Sequence, residues 1–282
     1  ATMSGFIWAP QRGAVCVTHP WEAGRDNAPD WDSAMAAITP DGVGAYTRRD
    51  TAHVDSAMRP TKYDYDRYLW LVQRGARLGW DEAAMLQGAP FRVADPTMTF
   101  ILLRATRDLA AMGAMLGRDT STLDGWIDTL ERGAQPLWNP ELGAYDSRDV
   151  VNAAWSGALS NASFLCWYAQ VDKPEMAGRL EEVLRTVRYG VPSLAPSDAR
   201  FDAKRYWRGP VWGMMNMMIG MGLTERGYGL GEDLRALTAE MIAEHGFAEY
   251  FDPLTGAPAG GGTFTWTAAV WLGWASPNAM GV

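Results

Sequence analysis

The sequence predicts an all-α protein built as an α/α toroid, two concentric rings of helices. Three observations lead there: apolar residues recur at helical spacing, the helical segments fall into two kinds, and strand signals are sparse. The first kind is one-sided. Leu123, Trp126, Ile127 and Leu130 stand at i, i+3, i+4 and i+7, and so do Leu180, Val183, Leu184 and Val187. Each stripe lies beside charged residues, as in a helix with one solvated face. The second kind is apolar nearly all round and occupies residues 97–103, 163–168, 211–223 and 264–274. Such helices must be buried on most sides, so the alternation of the two kinds reads as an outer and an inner ring. Gly, Pro and Asp gather in loops at residues 39–44, 139–144, 189–203 and 250–262. None of these resembles an interdomain linker, and one domain is expected over residues 1–282.

Composition narrows the class. Of the 282 residues, 48% are apolar, enough for a substantial core, and the 14 tryptophans favour an aromatic-lined cleft. A net charge of −8 argues against a nucleic-acid partner, because no basic stripe exists to neutralise phosphates. Cys16 and Cys166 are far apart and are expected as buried thiols rather than a disulfide. The longest apolar stretch, residues 210–223, is too short to span a bilayer, and residues 1–10 carry neither a charged head nor a sustained apolar run. A cytoplasmic protein with no membrane partner is expected, and homo-oligomerisation stays open. The sequon at Asn161 is read as chance. His19, His53 and His245 lack metal-ligand spacing, Gly260 to Gly262 lacks the Lys of a phosphate loop, and no Gly-x-Ser-x-Gly occurs. No metal or cofactor is implied.

The richest segment runs from His19 to Asp32. It sets Glu22, Asp26, Asp30 and Asp32 among Trp21 and Trp31, with Gly24, Asn27 and Pro29 as turn residues. Carboxyls beside indole surface suit acid and base work on a sugar, since crowding raises the pKa of one carboxyl until it can donate a proton. The plain alternative is an acidic loop opening a helix, with Asp30 and Asp32 as dipole partners. A second aromatic–carboxylate cluster, Phe247 to Gly256, leads into Gly260 to Ala269, and between the two lies Arg205-Tyr206-Trp207-Arg208-Gly209-Pro210-Val211-Trp212.

Together these three motifs resemble glycoside hydrolase family 63, and within it the bacterial glucosylglycerate and mannosylglycerate hydrolases, from about Val15 to Trp274. The resemblance implies an (α/α)6 toroid. Nine or ten helices can be placed where a closed ring needs twelve, so the barrel is expected to be incomplete on the N-terminal side. It also implies an inverting α-glycosidase with Asp26 as general acid and Glu249 as general base. The neighbours Glu22, Asp30 and Asp32 are the expected source of a raised pKa at Asp26. Asp252, in Asp-Pro, rivals Glu249 but reads as a turn residue; Glu22 rivals Asp26 and is otherwise a ligand for a sugar hydroxyl. Trp21, Tyr206, Trp207, Arg208, Gly209 and Trp212 are expected as a sugar-binding wall, although residues 209–212 could simply lead into a buried helix. Within Arg59-Pro60-Thr61-Lys62-Tyr63-Asp64-Tyr65 the resemblance gives Arg59 and Tyr65 the carboxylate of a glycerate leaving group, for which a guanidinium fork is suited. Two alternatives stand beside this one: a related α-glucosidase acting on neutral sugars, and an inactive sugar-binding fragment.

Overall fold

A computed structural model describes residues 13–279. Helices dominate it. In chain order they are α1 (Asp32–Ala36), α2 (Lys62–Arg77), α3 (Glu82–Leu86), α4 (Pro96–Met115), α5 (Ser121–Ala134), α6 (Glu175–Leu184), α7 (Gly213–Glu225), α8 (Leu230–His245) and α9 (Thr265–Val270). The starts of α2 and α4 carry their own punctuation. Thr61 and Asp64 exchange hydrogen bonds across the first turn of α2, a capping box. At α4, Asp95 accepts from the N–H groups of Thr97 and Met98, with Pro96 in the first helical position.

The two kinds of helix are present. α5 buries only Leu130, Gly133 and Ala134, while α7 buries Met215, Asn216, Ile219, Gly220 and Leu223 around its girth. α4 packs on α5 and α7 on α8, the helix-pair rhythm of a toroid. α7 approaches its neighbour so closely that a Cβ on Gly222 would stand 2.3 Å from the backbone of Trp167. Most of the buried apolar side chains form one cluster joining α4, α5 and α7, and a smaller one around Tyr189, Val211, Met241, Phe251 and Val270 joins α8 to the C-terminal segment. Among the described residues no helix is long and apolar enough to cross a membrane.

Several elements differ from the sequence reading. Residues 163–168 are not an α-helix: Asn161–Cys166 forms a buried 3-10 turn. A run that short lacks the length to sustain an α-helix, and burial holds it in the tighter form. The helix expected over 264–274 is α-helical only as α9, and then widens to a π turn at Trp271–Ala275. α6 ends at Leu184, so Val187 lies outside it. Eight two-residue strands also occur among the described residues, too short for alternation to betray them. β1 (Cys16–Val17), β2 (Val93–Ala94), β5 (Arg148–Asp149) and β6 (Ala154–Trp155) form an antiparallel sheet in the order β1-β2-β5-β6. β3 (Trp138–Asn139) pairs with β4 (Ala144–Tyr145), and β7 (Tyr250–Phe251) with β8 (Pro258–Ala259), so two of the expected loops are hairpins.

Candidate active site

The first half of the site is the loop that carries Asp26. A 3-10 turn at Pro20–Ala23 opens it, capped by His19, whose Nδ1 accepts from the Trp21 N–H at 3.0 Å. The Glu22 carboxylate accepts from the Thr18 and His19 backbone N–H groups at 2.7 and 3.3 Å, so this side chain closes the turn. Gly24, at φ +65°, ends it. Three consecutive residues then anchor in three directions. Arg25 is fully buried and donates to Asp30 at 2.7 Å, Thr97 at 2.9 Å and Ser160 at 3.2 Å. The Asp26 carbonyl accepts from the Tyr68 hydroxyl at 2.7 Å, and Asn27 Oδ1 accepts from the Trp207 N–H at 3.0 Å.

Burial pushes the Asp26 carboxyl up from its ordinary 3.8 to about 6. The Arg59 charge and the Trp21 side chain pull it back part of the way, and the Asp50 charge pushes it further. The expected cause therefore needs correction: Glu22 caps its turn, Asp30 pairs with Arg25 and Asp32 pairs with Arg208, so exclusion of water raises this carboxyl rather than crowding by those three.

The second half of the site is built on the β7–β8 hairpin. Glu249 immediately precedes β7 and is 7% exposed. Its N–H donates to the Gly261 carbonyl at 2.8 Å, and its Oε2 accepts from the Gly261 N–H at 2.9 Å. Gly260, at φ +69°, makes the approach feasible, since a Cβ there would lie 2.4 Å from Glu249 Oε2. Arg59 grips the same carboxylate with both terminal nitrogens, at 3.2 Å to Oε1 and 2.6 Å to Oε2. Its guanidinium also lies over the Tyr206 ring, 4.6 Å from the centroid. The charges of Asp26 and Glu249 both act on the Tyr206 phenol, whose pKa is raised mainly by burial. Tyr206 and Arg59 thus lie within electrostatic reach of both carboxyls.

The expected wall is arranged differently from an open stacking face. Trp207 and Trp212 are stacked on each other, 4.1 Å apart and nearly parallel, and both are buried. They support Tyr206, which meets Trp212 edge-on at 5.3 Å. Arg208 pairs with Asp32 through both nitrogens, and the Gly209 N–H donates to Ser193 Oγ at 2.9 Å. A Cβ at Gly209 would stand 2.2 Å from the Asp202 carbonyl oxygen, so glycine there serves close packing. On the Asp26 side, Trp21 meets Tyr65 edge-on at 5.9 Å; Tyr65 stacks on Tyr46 at 5.8 Å and lies under Arg48 at 4.7 Å. Asp252 accepts from the N–H groups of Leu254 and Thr255 and is a turn residue. Among the described residues no cluster of three His, Cys, Asp or Glu side chains could hold a metal ion.

Sequence reasoning passed over Asn27, Tyr46, Arg48, Asp50 and Tyr68. The signal for Asn27 was its place as the third of three consecutive polar residues, Arg25-Asp26-Asn27, in a turn ahead of Pro29.

Known proteins resemble this chain along most of its length. Residues 8–267 match the model of the "Mannosylglycerate hydrolase MGH1-like glycoside hydrolase domain". The chain is 41% identical over 269 residues to the mannosylglycerate hydrolase MGH1 of Selaginella moellendorffii, covering 93% of this chain and 55% of that protein. It is 32% identical over 280 residues to the glucosylglycerate hydrolase of Mycolicibacterium hassiacum, covering 94% and 62%. Its fold superposes with a TM-score of 0.89 on the crystal structure of the GH63 mannosylglycerate hydrolase of Thermus thermophilus in complex with Tris and D-glycerate, at 37% identity, over 92% of this chain and 64% of that one. The chain therefore spans between about half and two thirds of the length of these relatives. With a helical-toroid fold shared along nearly all of its length, it belongs to the MGH1-like glycoside hydrolases of family 63.

Proposed function

We propose that this chain carries the acid and base of an inverting α-glycosidase that hydrolyses mannosylglycerate or glucosylglycerate to hexose and glycerate. One observation carries the reading: a carboxyl whose pKa burial raises to about 6 and a carboxylate held by an arginine both act on the same tyrosine, Tyr206. Glycoside hydrolysis by inversion asks for that division of labour. Asp26 gives its proton to the glycosidic oxygen as the C1–O bond breaks. A water on the opposite face of the ring attacks C1 and gives its proton to Glu249. Oε2 of Glu249 already accepts from Arg59 and Gly261, whereas Oε1 accepts only from Arg59 among the described residues. Each carboxylate oxygen offers two lone pairs, so Oε1 is the one that receives the water. The substrate names come from the relatives, a mannosylglycerate hydrolase and a glucosylglycerate hydrolase.

A second reading has its own support. The Arg59 fork assigned to the glycerate carboxylate is spent on Glu249, which favours a hydrolase with a neutral leaving group. Assays of α-mannosylglycerate, α-glucosylglycerate and α-glucosylglycerol, with proton NMR of the first product, separate the readings. The proposal expects β-hexose from the glycerate substrates first. Early α-hexose would overturn inversion, preference for the glycerol compound would favour the second reading, and no turnover would leave this chain a sugar-binding part of a larger assembly.

A further inference from the structure

We infer that Asn27 is a positioning residue that ties the Asp26 loop to the Arg59–Glu249 pair by locking the peptide group between Tyr206 and Trp207. The inference rests on the reading of Asp26 and Glu249 as acid and base. Tyr206 has φ +44°, a left-handed conformation that a bulky side chain adopts only when its surroundings enforce it. Both ends of the peptide group that follows are held by side chains. Its N–H, on Trp207, donates to Asn27 Oδ1 at 3.0 Å, and its C=O, on Tyr206, accepts from Trp212 Nε1 at 3.2 Å. Fixing that plane fixes ψ of Tyr206, and with it the direction in which the ring leaves the backbone. The ring lies beneath the Arg59 guanidinium, and Arg59 holds Glu249. One side chain next to Asp26 thereby sets the platform on which the base is oriented.

The burial pattern supports a positioning duty. Asn27 is 4% exposed, yet its Nδ2 has no hydrogen-bond partner among the described residues. A purely structural buried amide is expected to satisfy both ends. Here the acceptor end is used and the donor end is left over, so the position needs an oxygen at that point. Leucine or alanine would leave the Trp207 N–H buried and unpaired, and the peptide plane would be free to rotate toward a relaxed Tyr206.

Asn27→Ala should lower kcat roughly 10- to 100-fold with KM changed far less, because a misplaced base loses rate before it loses binding. Asn27→Asp keeps the acceptor oxygen and should recover most of the loss. In a Tyr206→Ala background, which has already lost the platform, Asn27→Ala should add no more than about twofold. Full multiplication of the two losses, equal loss in the Ala and Asp variants, or wild-type kcat in Asn27→Ala would each overturn the inference. Should Asn27→Ala not fold, Asn27→Ser, whose hydroxyl is too short to reach, must show a kcat loss of similar size. A crystal structure of the variant decides independently of any substrate. Tyr206 should leave φ +44° and the Arg59–Glu249 pair should shift; an unmoved Tyr206 sinks the proposal even if the chain proves to cleave some other glycoside, or none.

Discussion

The two carboxyls at the centre of the site are held by opposite means. Asp26 sits in a loop fixed almost entirely through backbone and neighbouring side chains: Arg25 into the polar core, the carbonyl of Asp26 on Tyr68, Asn27 on Trp207. Its own carboxyl, although Trp21 and the Arg59 charge act on it, is governed by burial, which favours the proton. Glu249 sits beside a hairpin and is gripped at the carboxylate itself, by Arg59 and by the Gly261 N–H. One group has its pKa raised by taking water away, and the other is held in place by a guanidinium and a backbone N–H. On the proposed reading, surroundings rather than covalent chemistry make one carboxyl the donor and the other the acceptor.

The largest expected effects come from deleting the two groups themselves. Asp26→Asn and Glu249→Gln keep the shape of each side chain and remove its proton transfer, so each should lower kcat by roughly 10²–10⁴-fold. Near-normal turnover in either variant would break the comparison at that residue. Next comes the cation. Arg59→Ala leaves Glu249 buried without its partner, a change expected to destabilise the fold by about 3–5 kcal/mol in denaturant titrations. It should also depress activity on glycerate and neutral glycosides alike. A loss confined to glycerate substrates would show that Arg59 reaches the leaving group after all, as the sequence reading had it.

The acid half makes a prediction in pH. As the proposed acid, Asp26 must be protonated to act, so kcat/KM should fall about tenfold per unit as pH rises above about 6. Stability runs with the same sign. The folded pKa lies above the ordinary 3.8, so this group's contribution is complete below that value and is lost as pH rises through about 6. Asp26→Asn should therefore be more stable than the parent at pH 8, by up to about 3 kcal/mol at 1.36 kcal/mol per unit. Asp146, which burial also raises to about 6, should preserve part of the slope in that variant. A parent whose unfolding free energy is flat between pH 4 and 7 would contradict burial as the tuning force. The smallest effect belongs to Glu22. Glu22→Gln should cost about 1 kcal/mol through its weakened cap and leave the pH profile in place; a shifted alkaline limb would restore crowding as a cause.

How much of this could be read from the sequence depends on the range over which each feature is determined. The stripes of α5 and α6 are local and repeat over several turns, and so were visible. Two-residue strands offer too few positions for alternation, and the 3-10 turn at Asn161–Cys166 is imposed by tertiary burial, so neither was. The same division holds in the site. Arg59 and Glu249 could be singled out as residue types, but they are 190 positions apart, and nothing in either neighbourhood says that one holds the other. The tuning of Asp26 was assigned to near neighbours in sequence because sequence offers no measure of water exclusion. Glu22, Asp30 and Asp32 turned out to have partners elsewhere.

Val211 and Phe251 exchange both of their backbone hydrogen bonds, at 2.8 and 3.0 Å, and both residues are fully inaccessible to solvent. That exchange fastens the stem of α7 to the hairpin beside Glu249. Amide protons of this kind are released only by opening of the whole unit, so in deuterium-exchange experiments they should belong to the slowest class. The acid-side residues 39–50, which lie between helices and expose much of their chain, should exchange far sooner. Heat or denaturant would then erode the site unevenly, with the acid's surroundings loosening while the base is still in place. On the proposed reading, inactivation would precede global unfolding, and proton donation would be lost first.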